Sequence, residues 1–498
     1  MPSLAAMIMV ATLFYCLLLY NGARMLFRDS DTGWHIRNGE AILAQHTPPA
    51  TDPYSFSKPN QPWFAWEWGA DVVTGAAHRL GGLPAVAALF AFAIACASWL
   101  WVRLNFAMDG DFLLTGLFAP LMVTAASPHW LARPHVFGWV LLLGWMIYLE
   151  RASSPRATAA FGSWTGREAY PIFFAALWAN LHGSFFLAPA IAAIYGLSFL
   201  VRPMLWPLDR SAEHARACRL LRIAVAAGAG TLLNPYGWHL HAHVFSYLFD
   251  SRLTSQIAEF QSFNFHDKDA TQMAIVMCLA AVGGVLALTQ RNIAHFLLAA
   301  LFFWGGLRSA RVLPLVALAI LPVANSAIVT ALRQIRGLRQ PLLDRLDTVL
   351  GYSARLRRID LQFNGVAFAT AAVVLSLLLV HGAAFPTNVF PVSAARAVDR
   401  LPADARILTS DSYGGYLIYR FNGSRKVFFD GRSDFYGADL LDEYSILGGA
   451  RPGWRDVVAR YRFTHALLPV SSTLAGALTQ AGWNPLYRDG VATLLESR

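Results

Sequence analysis

Two carboxylates, Asp29 and Asp31, follow directly on the first apolar run of this 498-residue sequence, inside Arg28-Asp-Ser-Asp-Thr-Gly-Trp-His35. Charged groups at a membrane edge are costly unless paired or hydrated, so carboxylates held there are candidates for chemistry. A carboxylate within hydrogen-bond reach of a hydroxyl can take its proton and activate a weak nucleophile. An anionic leaving group then needs fixed positive charge nearby. The sequence offers such charge at the ends of later apolar runs: Arg133 between His129 and His135, and the pair Arg308 and Arg311. Guanidinium forks match phosphate oxygens. The competing reading is that these arginines only carry their heads to water at helix ends.

More candidates lie in the stretch 23–80. Asp52, in Thr51-Asp-Pro-Tyr-Ser55, is either a turn residue or a substrate contact. Glu67 stands among Trp63, Trp66 and Trp68, a composition suited to a membrane interface. His182, in Trp178-Ala-Asn-Leu-His-Gly183, either lines a lipid cavity or bonds the backbone groups freed by a helix break. His239, His241 and His243 have a spacing that ligates metal on a strand; they read here as interfacial and non-ligating. The four cysteines, Cys16, Cys96, Cys218 and Cys278, all lie in or beside apolar runs and support no disulfide framework, zinc ribbon or nucleophile.

These residues need a scaffold, and the composition says which. The chain is 56% hydrophobic and 14% charged, with mean hydropathy +0.42, where a soluble protein carries about 25% charged residues. A soluble enzyme, a disordered chain and a collagen are excluded; an α-helical polytopic membrane protein is implied. The net charge of +10 comes almost wholly from arginine, in short segments between apolar runs. That is the positive-inside pattern, not a nucleic-acid footprint. Apolar runs fall at about 4–22, 82–103, 112–127, 135–150, 171–201, 219–233, 272–289, 293–307, 312–331 and 363–384. The first lacks a basic leader and reads as a retained anchor. The 31-residue run 171–201 is too long for one span and is expected to break near His182-Gly183, giving about eleven spans. Arginines crowd the loops 151–170 (Arg151, Arg156, Arg167), 202–222 and 332–362, which places those loops and the N-terminus in the cytoplasm. The large loop 23–80, the loop 234–271 and the tail then share the outer side. Residues 1–385 form the membrane part, and 386–498 a small α/β domain. Its expected strands are Arg406–Thr409, Tyr416–Tyr419 and Lys426–Phe429, and its expected helices lie near 437–447, 454–461 and 472–481. Asp411, Asp430, Arg432 and Asp434 fall at strand ends, as acceptor contacts or as a buried ion-pair staple. No Walker loop or G-x-G-x-x-G supports a nucleotide site.

The run Asp29-Ser-Asp-Thr-Gly-Trp-His35 with Gly39-Glu40, Asp52-Pro-Tyr-Ser55, Glu67-Trp68, Asn234-Pro-Tyr-Gly237, Gly414-Gly-Tyr-Leu417 and Phe429-Asp-Gly-Arg432 resembles a family of bacterial polytopic proteins similar to the GT-C glycosyltransferases. The resemblance covers nearly the whole chain. It implies a polyprenyl-phosphate-sugar donor, transfer of a hexosyl or pentosyl unit, and a glycan, lipid or secreted-protein acceptor, in the bacterial inner membrane among its lipids, without nucleic acid. It implies that Asp29 or Asp31, with Glu67 beside them, carries the catalytic carboxylate. Arg308, Arg311, Arg133, His35, Asp52, His182 and Glu259 are then the substrate contacts. Gln256-Ile-Ala-Glu259 echoes a motif of metal-dependent oligosaccharyltransferases, which also need an acidic pair in the second outer loop. Here that loop, 128–134, holds no acid, so no metal ligand is assigned; a divalent metal is the one cofactor the resemblance leaves open. The rival functions are a transporter or lipid flippase, which would more often show internal repeats and mid-membrane charges, and a non-catalytic glycan-assembly protein.

Overall fold

The computed structural model describes residues 2–19, 22–154, 169–267, 270–363, 365–380 and 382–497. Arg156, Arg167 and Asp269 lie outside the described residues. The chain is a mostly helical, multi-pass membrane protein. Six helical stretches are long and apolar enough to cross a membrane: Trp68–Ala107, Phe112–His129, His135–Ser153, Gly183–Leu205, Ala270–Thr289 and Ala310–Gln334. Four shorter apolar helices accompany them: Leu4–Leu17, Ala169–Leu181, Ile293–Arg308 and Val366–Leu379. The run expected at 219–233 is the end of a longer helix, Arg210–Gly230, which carries Arg210, Arg216, Arg219 and Arg222 before its apolar end. The figure of about eleven spans is thus coarser in the structure: six long apolar helices and four short ones among the described residues.

Local chemistry sets the boundaries. In α1 (Leu4–Leu17), the Ser3 hydroxyl caps the first turn by accepting from the Ala6 N–H at 3.3 Å. The chain then turns through a short 3₁₀ segment, Gly22–Phe27, into α2 (Asp31–Gln45), a polar helix outside the apolar set. The next helix, α3 (Trp68–Ala107), breaks at Gly81 and Gly82. Its first part packs on α2 and its second part is the apolar span. The two helices cross where only glycine fits: a Cβ on Gly39 would lie 1.8 Å from the Asp71 carbonyl oxygen. Helices α4 (Phe112–Ala126) and α5 (His135–Ser153) follow, joined by a turn that carries Arg133. The long apolar run does divide at His182, into α6 (Ala169–Leu181) and α7 (Leu187–Leu205) with a 3₁₀ turn between them. The His182 imidazole accepts from the Ser184 N–H at 3.2 Å, bonding the backbone that the break frees.

The C-terminal region holds a four-stranded sheet in the order β1 (Ile407–Thr409), β2 (His465–Pro469), β4 (Ala492–Glu496), β3 (Asn484–Arg488). Strand β1 runs parallel to β2, and the other pairs are antiparallel. Helices Ser433–Gly448, Trp454–Tyr461 and Thr473–Gln480 stand close to their expected places. Two strand expectations are corrected. Tyr416–Tyr419 is helical, within Asp411–Arg420, because the Ser410 hydroxyl caps that helix by accepting from the Tyr413 N–H. Lys426–Phe429 does not join the sheet. Val427 instead pairs with the first loop, donating to the Tyr54 carbonyl and accepting from the Phe56 N–H, each at 2.9 Å. The C-terminal region is thereby seated on the stretch 23–80.

Candidate functional site

The site is assembled from three turns that hydrogen bonds lock together. Before α2, the Asp29 carboxylate accepts from the Asp31 N–H at 2.9 Å, and Asp31 opens the helix, where the dipole favours negative charge. The α4–α5 turn docks against this one. The Ala132 N–H donates to the Leu26 carbonyl at 2.9 Å, the Thr32 hydroxyl donates to the Ala132 carbonyl at 3.0 Å, and the Arg28 guanidinium donates to the Ser127 carbonyl at 3.0 Å. The third turn carries Glu259. The Ser309 hydroxyl donates to the Glu259 carbonyl, and the Ala310 N–H to the Gln261 carbonyl, both at 2.8 Å.

These ties bring one arginine among three carboxylates. Arg133 Nη1 lies 2.8 Å from Asp29 Oδ2 and 3.4 Å from Glu259 Oε1, and Nη2 lies 2.9 Å from Asp31 Oδ2. Arg311 Nε stands 3.5 Å from the other Glu259 oxygen. Burial pushes the Asp31 carboxyl up to about 7, against the pull of Arg133 and with the push of Asp29 and Asp430. For Glu259 burial acts the same way, but Arg133 and Arg311 outweigh it and hold the group at about 2. Burial would weaken the charge on Arg133; the surrounding carboxylates prevail and keep it firmly cationic. On its far side Asp31 meets the C-terminal region at its closest point: a Cβ on Gly431 would lie 1.9 Å from Asp31 Oδ1.

Glu67, just before α3, lines the same cavity and, among the described residues, forms no ion pair with an arginine. His182 Nε2 lies 3.5 Å from one of its oxygens and His35 Nε2 lies 4.0 Å from the other. Burial raises the Glu67 carboxyl. Behind it His35 is 1% exposed, with Nδ1 2.5 Å from Asp71 Oδ1, while Asn38 donates to Asp71 Oδ2 at 2.6 Å. Burial drives the His35 imidazole down to about 3, so it is neutral. Asp71 and Asn38 were missed by the sequence reading. The signal was there, since His35 and Asn38 share one face of a helix at i, i+3.

Asp29, Asp31, Glu67, Arg133, His182, Glu259 and Arg311 all line one cavity of about 1490 Å³. One wall is apolar and belongs to the membrane helices, with Trp139, Leu142, Phe186, Leu187 and Leu315. The C-terminal region contributes polar lining, Asp411, Asp434 and Tyr444, along with Phe429 and Leu441. His129, His135 and Arg28 complete the lining near Arg133.

Of the remaining candidates, Asp430 and Arg432 also line the cavity, whereas Arg308 and Asp52 do not. Arg308 ends its helix exposed and is not among the cavity-lining residues. Asp52 is buried and accepts from Arg432 at 2.7 Å. Arg432 also donates to both oxygens of Asp430, at 2.8 and 2.7 Å, and Tyr436 donates to Asp430 at 2.8 Å. The three histidines of the helix Trp238–Phe249 separate: His243 lies 3.1 Å from Asp434 and stacks on Phe64, whereas His241 pairs with Thr231 at 2.9 Å.

A divalent metal is tested by this geometry. Asp29, Asp31 and Glu259 offer the oxygens a hard cation takes, yet Arg133 already stands between them. A dication about 4 Å from that guanidinium would be repelled by roughly 8 kcal/mol at an effective dielectric of about 20. Among the described residues, no three or more His, Cys, Asp or Glu side chains are grouped to hold a metal ion. The residues present do not fit one.

No family model and no curated protein matches this sequence. Solved structures do match in fold. The archaeal oligosaccharyltransferase AglB from Archaeoglobus fulgidus, in complex with an inhibitory peptide and a dolichol-phosphate, aligns with a TM-score of 0.61 over 99% of this chain and 74% of its own, at 12% identity. The apo oligosaccharyltransferase of the same organism gives 0.60 over 93% and 69%, at 12% identity. Its complex with Zn and sulfate gives 0.55 over 93% and 68%, also at 12%. The chain shares the fold of these structures. The alignment extends through the C-terminal region as well as the helices, so the whole layout is shared and not the membrane bundle alone.

Proposed function

We propose that this protein is a glycosyltransferase that moves a sugar from a polyprenyl-phosphate donor to an acceptor on the outer face of a bacterial inner membrane. The observation that carries the reading is the cavity itself, which gathers the paired Asp31 and Arg133 with apolar side chains of the membrane helices and polar side chains of the C-terminal region. An isoprenoid chain suits the apolar wall, and the donor phosphate suits Arg311 together with the imidazoles of His129 and His182. The acceptor enters along the C-terminal wall.

Asp31 is the general base in this reading. An acceptor hydroxyl oxygen attacks the sugar C1, the C1–O bond to phosphate breaks, and polyprenyl phosphate leaves with the bonding pair. The hydroxyl proton passes to the Asp31 carboxylate. A base with its pKa near the working pH is suited to that transfer, and burial brings Asp31 there. Asp29 fixes the Asp31 backbone. Glu67 faces the same space and helps hold the sugar, with His35 and Asp71 positioning it from behind. Residues 1–385 form the transferase module, with the N-terminus in the cytoplasm, and 386–498 an outer domain that receives the acceptor.

The test compares surface glycans and glycolipids from wild-type cells, a deletion strain, and a deletion strain carrying Asp31→Asn. Loss of one sugar in both the deletion and the Asn strain is expected and would identify what is transferred. Full rescue by the Asn variant would end the base assignment and favour a transport or assembly role.

A further inference from the structure

The arginine at the centre of the carboxylate trio raises a separate question: what cation organises this site. We infer that Arg133 is the resident cation, occupying the place a divalent metal would take, so that Asp29, Asp31 and Glu259 are held by a guanidinium and the site works without a metal ion. The inference rests on the transferase reading only for what the cluster acts upon; the arrangement of the cluster is independent of it.

The three carboxylates come from two outer loops far apart in sequence, and the arginine comes from a third segment between them. Both terminal nitrogens are used, Nη1 on Asp29 and Glu259, Nη2 on Asp31. A divalent ion would need the oxygens that these nitrogens already hold. The turn that carries Arg133 contributes no acid of its own; Ser127 to Pro134 holds only Arg133, His129 and uncharged residues. That turn is fixed from both sides by the Ala132–Leu26 and Thr32–Ala132 hydrogen bonds, which set the Arg133 backbone, while the three carboxylate contacts hold its guanidinium. A guanidinium differs from a metal in what it does next. It supplies fixed positive charge and directed N–H donors, but neither accepts lone pairs into open coordination positions nor exchanges with solvent.

The experiment uses the full chain, purified in detergent and stripped with a chelator, and the probe is Mn²⁺ followed by its spin-resonance signal during titration. Wild type is expected to show no saturable site. Arg133→Met, which keeps the apolar stem and removes the charge, is expected to gain one Mn²⁺ site, bound at least about tenfold tighter than any wild-type binding. Adding Asp29→Ala to that variant should abolish the gain. Arg133→Ala serves as a second variant. A saturable Mn²⁺ site in wild type that Asp29→Ala removes would overturn the inference. So would folded Met and Ala variants that both fail to gain a site. If neither variant folds, the wild-type titration alone decides by the same criterion. None of these readouts needs transfer activity, so a chain that proves to transfer no sugar would still answer the question. Where transfer is measured, its rate is expected to be unchanged by excess chelator, and a loss restored by Mn²⁺ would count against the inference.

Discussion

Arg432 and Arg133 are both clasped by carboxylates, and they have opposite surroundings. Arg432 is 1% exposed and its partners Asp52 and Asp430 are wholly buried. Its planar group lies 4.6 Å from the Trp63 ring centre and 5.2 Å from that of Tyr54. Arg133 is 16% exposed, and its partners Asp29 and Glu259 are 22% and 32% exposed at a cavity wall. The chemistry of the pairs is the same. Asp430 and Arg432 border the same cavity, but their side chains are almost wholly sealed, and the ion pair with Asp52 acts as a clasp between the first loop and the C-terminal region. An ion pair that faces a cavity can trade a carboxylate for a substrate oxygen at small cost. Exposure, not residue type, separates the structural cluster from the candidate site.

The comparison can be broken at its buried side first. Arg432→Ala leaves Asp52 and Asp430 buried without their cation, and a loss of about 3–5 kcal/mol in stability is expected. Thermal unfolding and protease release of the C-terminal region are the measurements. The two clusters touch at Gly431, so Gly431→Ala sharpens the distinction: its methyl group would displace the Asp31 carboxylate. Transfer is expected to fall on the order of 10²-fold, with the unfolding temperature far less affected than in Arg432→Ala. Arg311→Ala removes a charge from the cavity side, and the donor KM is expected to rise about 10- to 100-fold. Arg308→Ala, three residues away and exposed, should change it by no more than about twofold.

The pH profile offers a check that needs no mutation. A base acts only when ionised, and burial raises Asp31 to about 7. Protonation below that value removes the base, so kcat/KM should fall roughly tenfold per pH unit on the acid side and level off above it. An acid limb near pH 4 instead would exclude Asp31 as the base.

Much of the site was legible because its residues are anomalies in an apolar sequence. Asp29, Asp31 and Arg133 stand beside the ends of hydrophobic runs, where charge is conspicuous, Glu259 stood out only within Gln256-Ile-Ala-Glu259, and the break at His182 followed from the length of the run and the polar residues that interrupt it. What pattern cannot give is which side of a turn a side chain takes. Arg308 and Arg311 look equivalent in sequence, yet a helix ends between them and only the second points into the cavity. Asp52 read as a turn residue or a ligand; it is both a turn residue, accepting from the Tyr54 and Ser55 N–H groups, and a partner of Arg432 from 380 positions away. Strands β2, β3 and β4 were overlooked, and Tyr416–Tyr419 was read as a strand. Short apolar runs of this length suit either state, and the Ser410 cap decided the second case.

The same long reach has a consequence for how the chain is made. Asp52 emerges early in synthesis and Arg432 late, after every apolar helix of the bundle has been translated. Until then the nascent chain holds a bundle whose cavity lacks one wall and whose Asp52 has no counter-ion. Completion of the last quarter of the polypeptide therefore closes the cavity and neutralises the carboxylate in one step. A chain cut short before Arg432 would keep the apolar helices but lack the counter-ion of Asp52 and most of the cavity's C-terminal lining.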